Sequence, residues 1–273
     1  MEGGLVPRSL LTNKDVGGTS VGRDELRQLF GKREGAIFDN PKPTGLIKKL
    51  INISGLNGND IALDFFSGSG TTADAIIQLN ANDGGRRKFI LVQLPELSDE
   101  KSEAFKAGYK TIADITKDRI RLAGQKIKAL SPLTALNLDI GFRVLKIDSS
   151  NMKDVYYTPD AVKQGDLLAQ VDNIREDRTP EDFLFQVLLD WGVDLALPIT
   201  QETIASKNVF FVDGNALAAC FETGINEEFV KALATRHPLR AVFRDAGFGS
   251  DSVKINIEQI FKLISPTTEV KSI

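Results

Sequence analysis

The pattern of apolar and polar positions predicts alternating strands and helices in the first half of the chain. A short apolar run from Ile61 to Asp64 is followed by small residues and then by a segment of helical periodicity that ends near Leu79. After the polar turn "NANDGG", a second apolar run, "KFILVQL", predicts a buried strand. Strand, helix and strand at this spacing imply a parallel pair with a right-handed crossover. The predicted fold class is therefore α/β.

Helices are also predicted on both sides of this unit. Upstream, "RDELRQLF" predicts a short helix, and two prolines favour an extended segment that leads into a helix from about Thr44 to Gly55. Downstream, apolar residues recur at helical spacing from Lys101 to Lys128, where basic residues outnumber acidic ones. We expect one long helix there with a basic outer face. A solvated surface is the simpler interpretation of that face, and phosphate contact through Lys117 and Arg121 is the alternative.

The character of the sequence changes after Leu130, where a second region begins. It opens with loop signals and one alternating strand in "LDIGFRVLKIDSSN". Further on, "NVFFVD" and "LRAVFRD" predict strands, while "NALAACFE", "NEEFVKALAT" and "DSVKINIEQIFKLI" predict helices. Acidic "DNIREDRTPEDF" is interpreted as a solvated loop with a helix cap near Thr179. The predicted organisation is a lead-in over 1–37, a domain over 38–132 and a smaller α/β domain over 133–273.

Composition narrows the range of function classes. The 42% apolar content is typical of an ordinary protein core, and a formal charge of −3 argues against a protein whose whole surface binds nucleic acid. With one cysteine, Cys220, and one histidine, His237, the chain has neither a disulfide nor a cysteine and histidine zinc site. Cys220 is predicted to be buried and inert, and His237 structural or exposed. The absence of a membrane-length apolar run and of a signal peptide predicts a cytoplasmic protein without a membrane partner.

The stretch "DFFSGSGTTA" is the best candidate for a ligand site. Gly68, Gly70 and Ala73 satisfy the G-x-G-x-x-[G/A] pattern, which fits both a dinucleotide and S-adenosylmethionine. Asp64, at the end of the strand, suits a ligand with an ammonium group better than one with a pyrophosphate. No lysine follows the glycines, so a triphosphate-binding loop is excluded. A glycine turn without a ligand and a nicotinamide-dependent oxidoreductase remain alternatives, the latter on the glycine pattern alone.

The same stretch resembles the cofactor motif of amino-methyltransferases that act on DNA, in the class where this motif comes late in the chain. "FDNPKPTGLIKKLI" resembles the segment that precedes the motif in that class. "KFILVQLPE", "GYKTIADITKDRIRLAGQKI" and the terminal "FRDAGFGSDSVKINIEQIFKLISPTTEVKSI" resemble the modification subunit of type III restriction-modification systems. The resemblance covers nearly the whole chain. It implies a partial Rossmann-like, S-adenosylmethionine-dependent methyltransferase lobe over 38–132 and an assembly domain over 133–273.

The resemblance also implies a set of cofactor contacts. Asp64 would engage the methionine ammonium, and the backbone of the glycine turn would pass against the cofactor. Thr71 and Thr72 would cap the next helix, while Gln93 or Glu96 would serve the ribose hydroxyls, where the family commonly has an acidic residue. Phe38 or Phe66 would reach the adenine ring, although each is more simply a core aromatic. The implied cofactor-binding residues are Asp64, Phe65, Phe66, Ser67, Gly68, Gly70, Thr71, Thr72, Gln93, Glu96, Lys42, Pro43 and Thr44.

The motif that performs the chemistry in this family is absent from the sequence. That motif joins an Asp, Asn or Ser to two prolines and an aromatic ring, and the chain has no adjacent prolines; "DNPKPT" comes nearest. We therefore expect no catalytic residues in this sequence. The chain would be a C-terminal portion of a larger subunit, and only the intact subunit would methylate adenine N6. The partners implied are DNA through the intact subunit, a second copy in a homodimer, and the restriction subunit. The alternative is an assembly module that binds no cofactor by itself.

Overall fold

The computed structural model describes residues 10–31, 35–130, 137–153 and 174–273. It divides the chain into two compact units, the first ending at Phe142 and the second beginning at Arg143. This division lies beyond the one predicted after residue 132. Residues of the predicted lead-in form two helices within the first unit, α1 at Asn13–Val16 and α2 at Thr19–Phe30.

The first unit contains the predicted strand, helix and strand. Strands β1 (Ile61–Asp64) and β2 (Lys88–Leu91) pair in parallel, with Leu63 opposite Ile90. The remaining helices are α3 (Thr44–Ser54), α4 (Thr71–Asp83), α5 (Glu103–Lys106) and α6 (Ile112–Leu130). The α/β fold class is thus confirmed, and α4 forms the crossover between the two strands.

The two faces of this sheet differ in their surroundings. On one face, Phe89 and Leu91 pack against a buried cluster from α4 and α6 that comprises Ala73, Ile77 and Ile120. On the other face, about half of the surface of each apolar side chain is exposed, at 52% for Ile61, 52% for Leu63 and 51% for Ile90. The prediction of a fully buried second strand is therefore wrong, because only one face is covered in the described part of the chain.

The helix predicted from Lys101 to Lys128 is interrupted. Helix α5 ends before Gly108, whose φ of +95° lies in the left-handed region that favours glycine. Helix α6 then starts with reciprocal hydrogen bonds: the N–H and the hydroxyl of Thr111 donate to the Asp114 carboxylate, and the Asp114 N–H donates to the Thr111 hydroxyl. One face of α6 is buried and includes Arg119, which has no exposed surface.

The second unit has three layers. Its five-stranded sheet has the order β3-β4-β5-β6-β7, antiparallel from β3 to β5 and parallel from β5 to β7. The strands are β3 (Ile199–Ile204), β4 (Lys207–Val212), β5 (Leu217–Cys220), β6 (Arg240–Phe243) and β7 (Glu269–Ser272). One face packs against α7 (Pro180–Asp190), and the other packs against α8 (Glu227–Ala234) and α9 (Asp251–Ile264).

Several local predictions for the second unit have clear outcomes. The helix predicted in "NALAACFE" is wrong: Leu217–Cys220 is strand β5, buried on both faces. The segment "LDIGFRVLKIDSSN" contains no strand within described residues 138–151. Cys220 is buried as predicted, and burial raises the pKa of its thiol to about 11. His237 is exposed. Thr179 caps α7 as predicted, since its hydroxyl accepts a hydrogen bond from the backbone N–H of Asp182.

Candidate functional site

The glycine turn after β1 has a conformation and surroundings that require glycine. Gly68 and Gly70 have φ values of +51° and +80°, and the Gly70 N–H donates to the Ser67 carbonyl at 2.7 Å. A Cβ atom added to Gly70 would lie 3.1 Å from Cγ2 of Thr116, because α6 passes directly behind the turn. Conformation and packing therefore both disfavour a larger residue at Gly70.

The carboxylate of Asp64 is fixed at the start of the turn. Its Oδ2 accepts a hydrogen bond from the Thr72 hydroxyl at 2.6 Å, and its Oδ1 accepts one from the Phe66 N–H at 3.1 Å. The residue is partly exposed, and each carboxylate oxygen retains acceptor capacity. Asp64 thus presents an oriented negative charge to a ligand.

The predicted helix caps are wrong in detail. Gly70 is the N-cap of α4 and makes no side-chain cap, while Thr71 and Thr72 are the first two residues of the helix. The Thr72 hydroxyl instead binds Asp64, and the Thr71 hydroxyl donates to the Lys42 carbonyl at 3.1 Å. Both threonines therefore hold neighbouring segments in place.

The segment Lys42–Thr44 lies beside the turn, because the Thr71 hydroxyl donates to the Lys42 carbonyl. Lys42 is exposed, whereas Pro43 and Thr44 are buried. The backbone N–H and the hydroxyl of Thr44 both donate to the carboxylate of Glu25, the hydroxyl at 2.7 Å. Since these donors are already engaged, Thr44 positions the segment, and Lys42 is the member of the three that is open to a ligand.

Gln93 and Glu96 occupy different environments. The side-chain oxygen of Gln93 accepts a hydrogen bond from the Gly68 N–H at 2.8 Å, so it supports the turn from the β2 side. Glu96 is exposed. Of the two candidates for the ribose hydroxyls, Gln93 has its acceptor directed to the turn, and Glu96 presents its side chain to solvent.

The aromatic residues of the site differ in how far they are buried. Phe65 and Phe66 are 64% and 83% exposed, so neither is a core aromatic. Phe38 is half-buried against a cluster that includes Ile37 and Ile115, and its ring edge lies 3.4 Å from the position of a Cβ added to Gly68. Phe38 thus packs behind the turn, while Phe65 and Phe66 project from it.

One polar atom of the turn is left unsatisfied. The hydroxyl oxygen of Ser67 is buried and has no hydrogen-bond partner among the described residues. A buried hydroxyl without a partner is costly, and water or a ligand group commonly satisfies such an atom.

Sequence reasoning missed the residues that hold the turn from behind. Thr116 of α6 donates its hydroxyl to the Gly68 carbonyl at 2.5 Å. Three residues further along α6, the guanidinium of Arg119 donates to the hydroxyls of Thr71 and Ser69 and to the carboxylate of Asp74, at 2.8, 3.0 and 3.0 Å. A signal was present, because an arginine on the apolar face of an amphipathic helix requires a buried partner.

Other types of site do not appear in the described ranges. Those residues contain no cluster of histidine, cysteine and acidic side chains that could hold a metal ion. None of the helices resolved there is long and apolar enough to cross a membrane.

Comparison with known proteins matches the region that carries this site. Residues 17–123 match a protein family described as DNA methylase. The chain is 43% identical over 129 residues to the Mod subunit of the type III restriction-modification enzyme StyLTI from Salmonella typhimurium, which covers 47% of this chain and 19% of that protein. It is 40% identical over 127 residues to the EcoPI Mod subunit of Escherichia phage P1, covering 46% and 19%.

A further relative belongs to a type II system. The methyltransferase M.KpnI of Klebsiella pneumoniae is 38% identical over 102 residues, which covers 37% of this chain and 24% of that protein. The chain spans about a fifth of the length of the type III relatives that it matches. The predicted resemblance is thus confirmed in its coarser form: residues 17–123 match the DNA methylase family, and the relatives that the chain matches at about 40% identity include type III Mod subunits.

Proposed function

We propose that this chain is the S-adenosylmethionine-binding portion of a DNA adenine-N6 methyltransferase of a type III restriction-modification system. The observation that carries the proposal is the turn from Asp64 to Thr72. It combines a fixed carboxylate with two left-handed glycines inside the segment that matches the DNA methylase family. When bound, S-adenosylmethionine would supply the methyl group for transfer.

The residues present fit this cofactor. Asp64 would bind the methionine ammonium by charge complementarity, and the backbone from Phe65 to Gly70 would pass against the ligand. The Ser67 hydroxyl would gain a partner, and the exposed ring of Phe66 would contact the adenine. Lys42 and Glu96 would close the edges of the site, Glu96 toward the ribose hydroxyls. Gln93 would act by holding Gly68.

We propose further that the first unit is a partial Rossmann-like lobe that does not methylate DNA by itself. Parallel sheets are normally covered on both faces, whereas one face of β1 and β2 is half-exposed. Each of these type III relatives is about five times as long as the region that it shares with this chain. Additional strands and helices of a longer subunit would cover this face and supply the catalytic motif that the sequence lacks.

The decisive experiment is a calorimetric titration of the chain with S-adenosylmethionine and, separately, with NAD. We expect binding of S-adenosylmethionine alone. Asp64→Asn preserves the shape of the side chain but removes its charge, and it should weaken binding about tenfold or more. Asp99→Asn is a control for removing an exposed charge elsewhere in the first unit and should leave the affinity unchanged.

Other results would contradict the proposal in different ways. Binding of NAD would favour the oxidoreductase alternative. Equal affinity in Asp64→Asn and the wild type would place the ligand elsewhere. Binding of neither ligand would favour the assembly module.

A second function, assembly, is proposed for the second unit. Large apolar side chains of this unit are exposed, among them Ile255 at 74% and Leu263 at 84%, both on α9. Such side chains favour burial against a partner, which we propose to be a second copy or the restriction subunit. Light scattering of the purified chain tests the homodimer. A monomer at every concentration would contradict the homodimer. A dimer that persists in Leu263→Ser would contradict the role of the exposed side chains of α9.

A further inference from the structure

The guanidinium of Arg119 joins elements that are distant in the sequence. It is completely buried, and it reaches the hydroxyls of Ser69 and Thr71 in the glycine turn. Its Nε donates to Asp74 of α4 at 3.0 Å, and its Nη2 lies 3.5 Å from the Glu25 carboxylate of α2. A lysine at this position has a single ammonium group and lacks the planar fork needed to reach these directions together.

Glu25 extends the connection to the other wall of the site. Its carboxylate accepts hydrogen bonds from the N–H and the hydroxyl of Thr44, in the segment Lys42–Thr44. That segment meets the glycine turn again where the Thr71 hydroxyl donates to the Lys42 carbonyl. The glycine turn and the Lys42–Thr44 segment are the two walls of the site. They contact each other directly, and each is also connected to Arg119, the segment through Glu25.

Simple stabilisation explains this arrangement poorly. Buried ion pairs lose much of their attraction to desolvation, and well-packed apolar side chains often stabilise a fold as well or better. What the charged group supplies is directional contact. Its partners lie on the turn, at the start of α4 and, through Glu25, on the Lys42–Thr44 segment, which are the parts of the chain that form the candidate site.

We propose that Arg119 and Glu25 are positioning residues that set the distance between the glycine turn and the Lys42–Thr44 segment and so pre-organise the ligand site. Neither residue touches the ligand in this proposal. This inference rests on the proposed function for the identity of the ligand, S-adenosylmethionine. The coupling of the two walls, however, is a property of the chain without ligand and is measurable by itself.

The test compares matched variants of the full chain. Glu25→Gln removes the negative charge that pairs with Arg119 and turns one of the two acceptor oxygens into an NH2 donor, so the side chain can no longer accept from Arg119 and from both donors of Thr44 together. The matched control is Glu103→Gln, because Glu103 also forms an ion pair in the first unit and its side chain is 25% exposed against 24% for Glu25. Arg119→Lys retains the charge without the fork, and Glu25→Gln remains decisive if that variant does not fold.

The first measurement is hydrogen exchange of the ligand-free chain, followed by mass spectrometry. We expect Glu25→Gln to speed exchange in peptides from both walls, 42–46 and 67–72, while the second unit and the Glu103→Gln control remain unchanged. The second measurement is S-adenosylmethionine affinity, which should fall about tenfold in Glu25→Gln with little change in the unfolding temperature.

The outcomes separate this inference from the proposed function. Faster exchange in both walls supports the coupling even if the wild type binds no S-adenosylmethionine, and in that case the proposed function alone fails. Faster exchange confined to 42–46, with 67–72 as in the wild type, would overturn the coupling whatever the affinity shows. A wild type that binds the ligand and a Glu25→Gln variant with the same affinity would overturn the pre-organisation.

Discussion

The second unit completes its sheet with a helical layer on each face, whereas the first unit leaves one face of its sheet half-exposed. In the second unit, Leu217, Ala218, Ala219 and Cys220 of β5 are all buried. In the first unit, the strands alternate between covered positions such as Phe89 and exposed ones such as Ile90. The second unit therefore has the more completely covered sheet.

Truncating a core aromatic of the second unit should give the largest effect. Phe243 is completely buried and packs against Phe248 and Phe261, so Phe243→Ala should cost about 3–5 kcal/mol of unfolding free energy. Phe66→Ala, at an 83% exposed position of the first unit, should change the stability by about 0.5 kcal/mol or less.

Urea denaturation can assign these changes to the correct unit. The only tryptophan of the chain, Trp191, packs in the second unit, so its fluorescence reports that unit, while circular dichroism reports both. A shift of the Trp191 transition in Phe66→Ala equal to that in Phe243→Ala would contradict the contrast between the units.

Two glycines that flank α4 allow a sharper test of how the turn is held. Gly70 precedes the helix and Gly84 follows it, with φ values of +80° and +73°. A Cβ atom on Gly84 meets nothing within 4 Å, whereas one on Gly70 contacts Thr116. Gly84→Ala should therefore cost about 1 kcal/mol of strain, and Gly70→Ala about 2–3 kcal/mol, because packing against α6 adds to the strain. Equal losses in thermal unfolding would show that contact with α6 does not constrain the turn.

The sequence was most informative where one pattern fitted one structure. The apolar run before "SGSG" and the helical periodicity after it predicted β1 and α4, since a glycine turn between such segments has few alternatives. The run "LAAC" was misinterpreted because four consecutive apolar residues suit a helix as well as a strand. Only the layers on both faces of β5 decide between them. Gly108 between α5 and α6 was an available signal for the break in the predicted long helix.

The site shows a similar division. Asp64, Gly68 and Gly70 could be predicted as site residues because their chemistry is local to one motif. Gln93 was predicted from the resemblance, at a position where the family commonly has an acidic residue, but its contact with Gly68 depends on how the end of β2 packs on the turn. Glu25 and Arg119 are 94 positions apart in the chain, so their proximity follows only from the packing of α2 against α6.

Acid should weaken the first unit through Asp114 at the start of α6. The hydrogen bond from Lys117, with further hydrogen bonds from Thr111, holds the pKa of Asp114 below its ordinary value. The stabilisation is therefore present above the ordinary pKa and is lost as the pH falls through the lowered one. Because the side chain is 33% exposed, solvent screening limits the effect to about 1 kcal/mol or less.

The Asp114 effect can be checked with two variants. Asp114→Asn should flatten the loss of stability as the pH falls below about 4, measured by circular dichroism. Lys117→Met should raise the pKa of Asp114 toward its ordinary value, as observed by carboxyl NMR. If the wild type and Asp114→Asn lose stability equally at acid pH, this carboxylate does not contribute to the pH dependence of stability.

The smallest effect is expected on the half-exposed sheet face of the first unit. Val92 follows β2 and is 43% exposed, so Val92→Thr should change the stability by about 0.5 kcal/mol or less. Val209→Thr makes the same substitution at a completely buried position of β4 and should cost about 1–3 kcal/mol, because the new hydroxyl is buried in an apolar core. In a longer subunit that covers the face of β1 and β2, Val92→Thr should become as costly as Val209→Thr. If Val92→Thr stays neutral in that longer protein as well, no further layer packs there, and the proposal of a partial lobe loses its structural support.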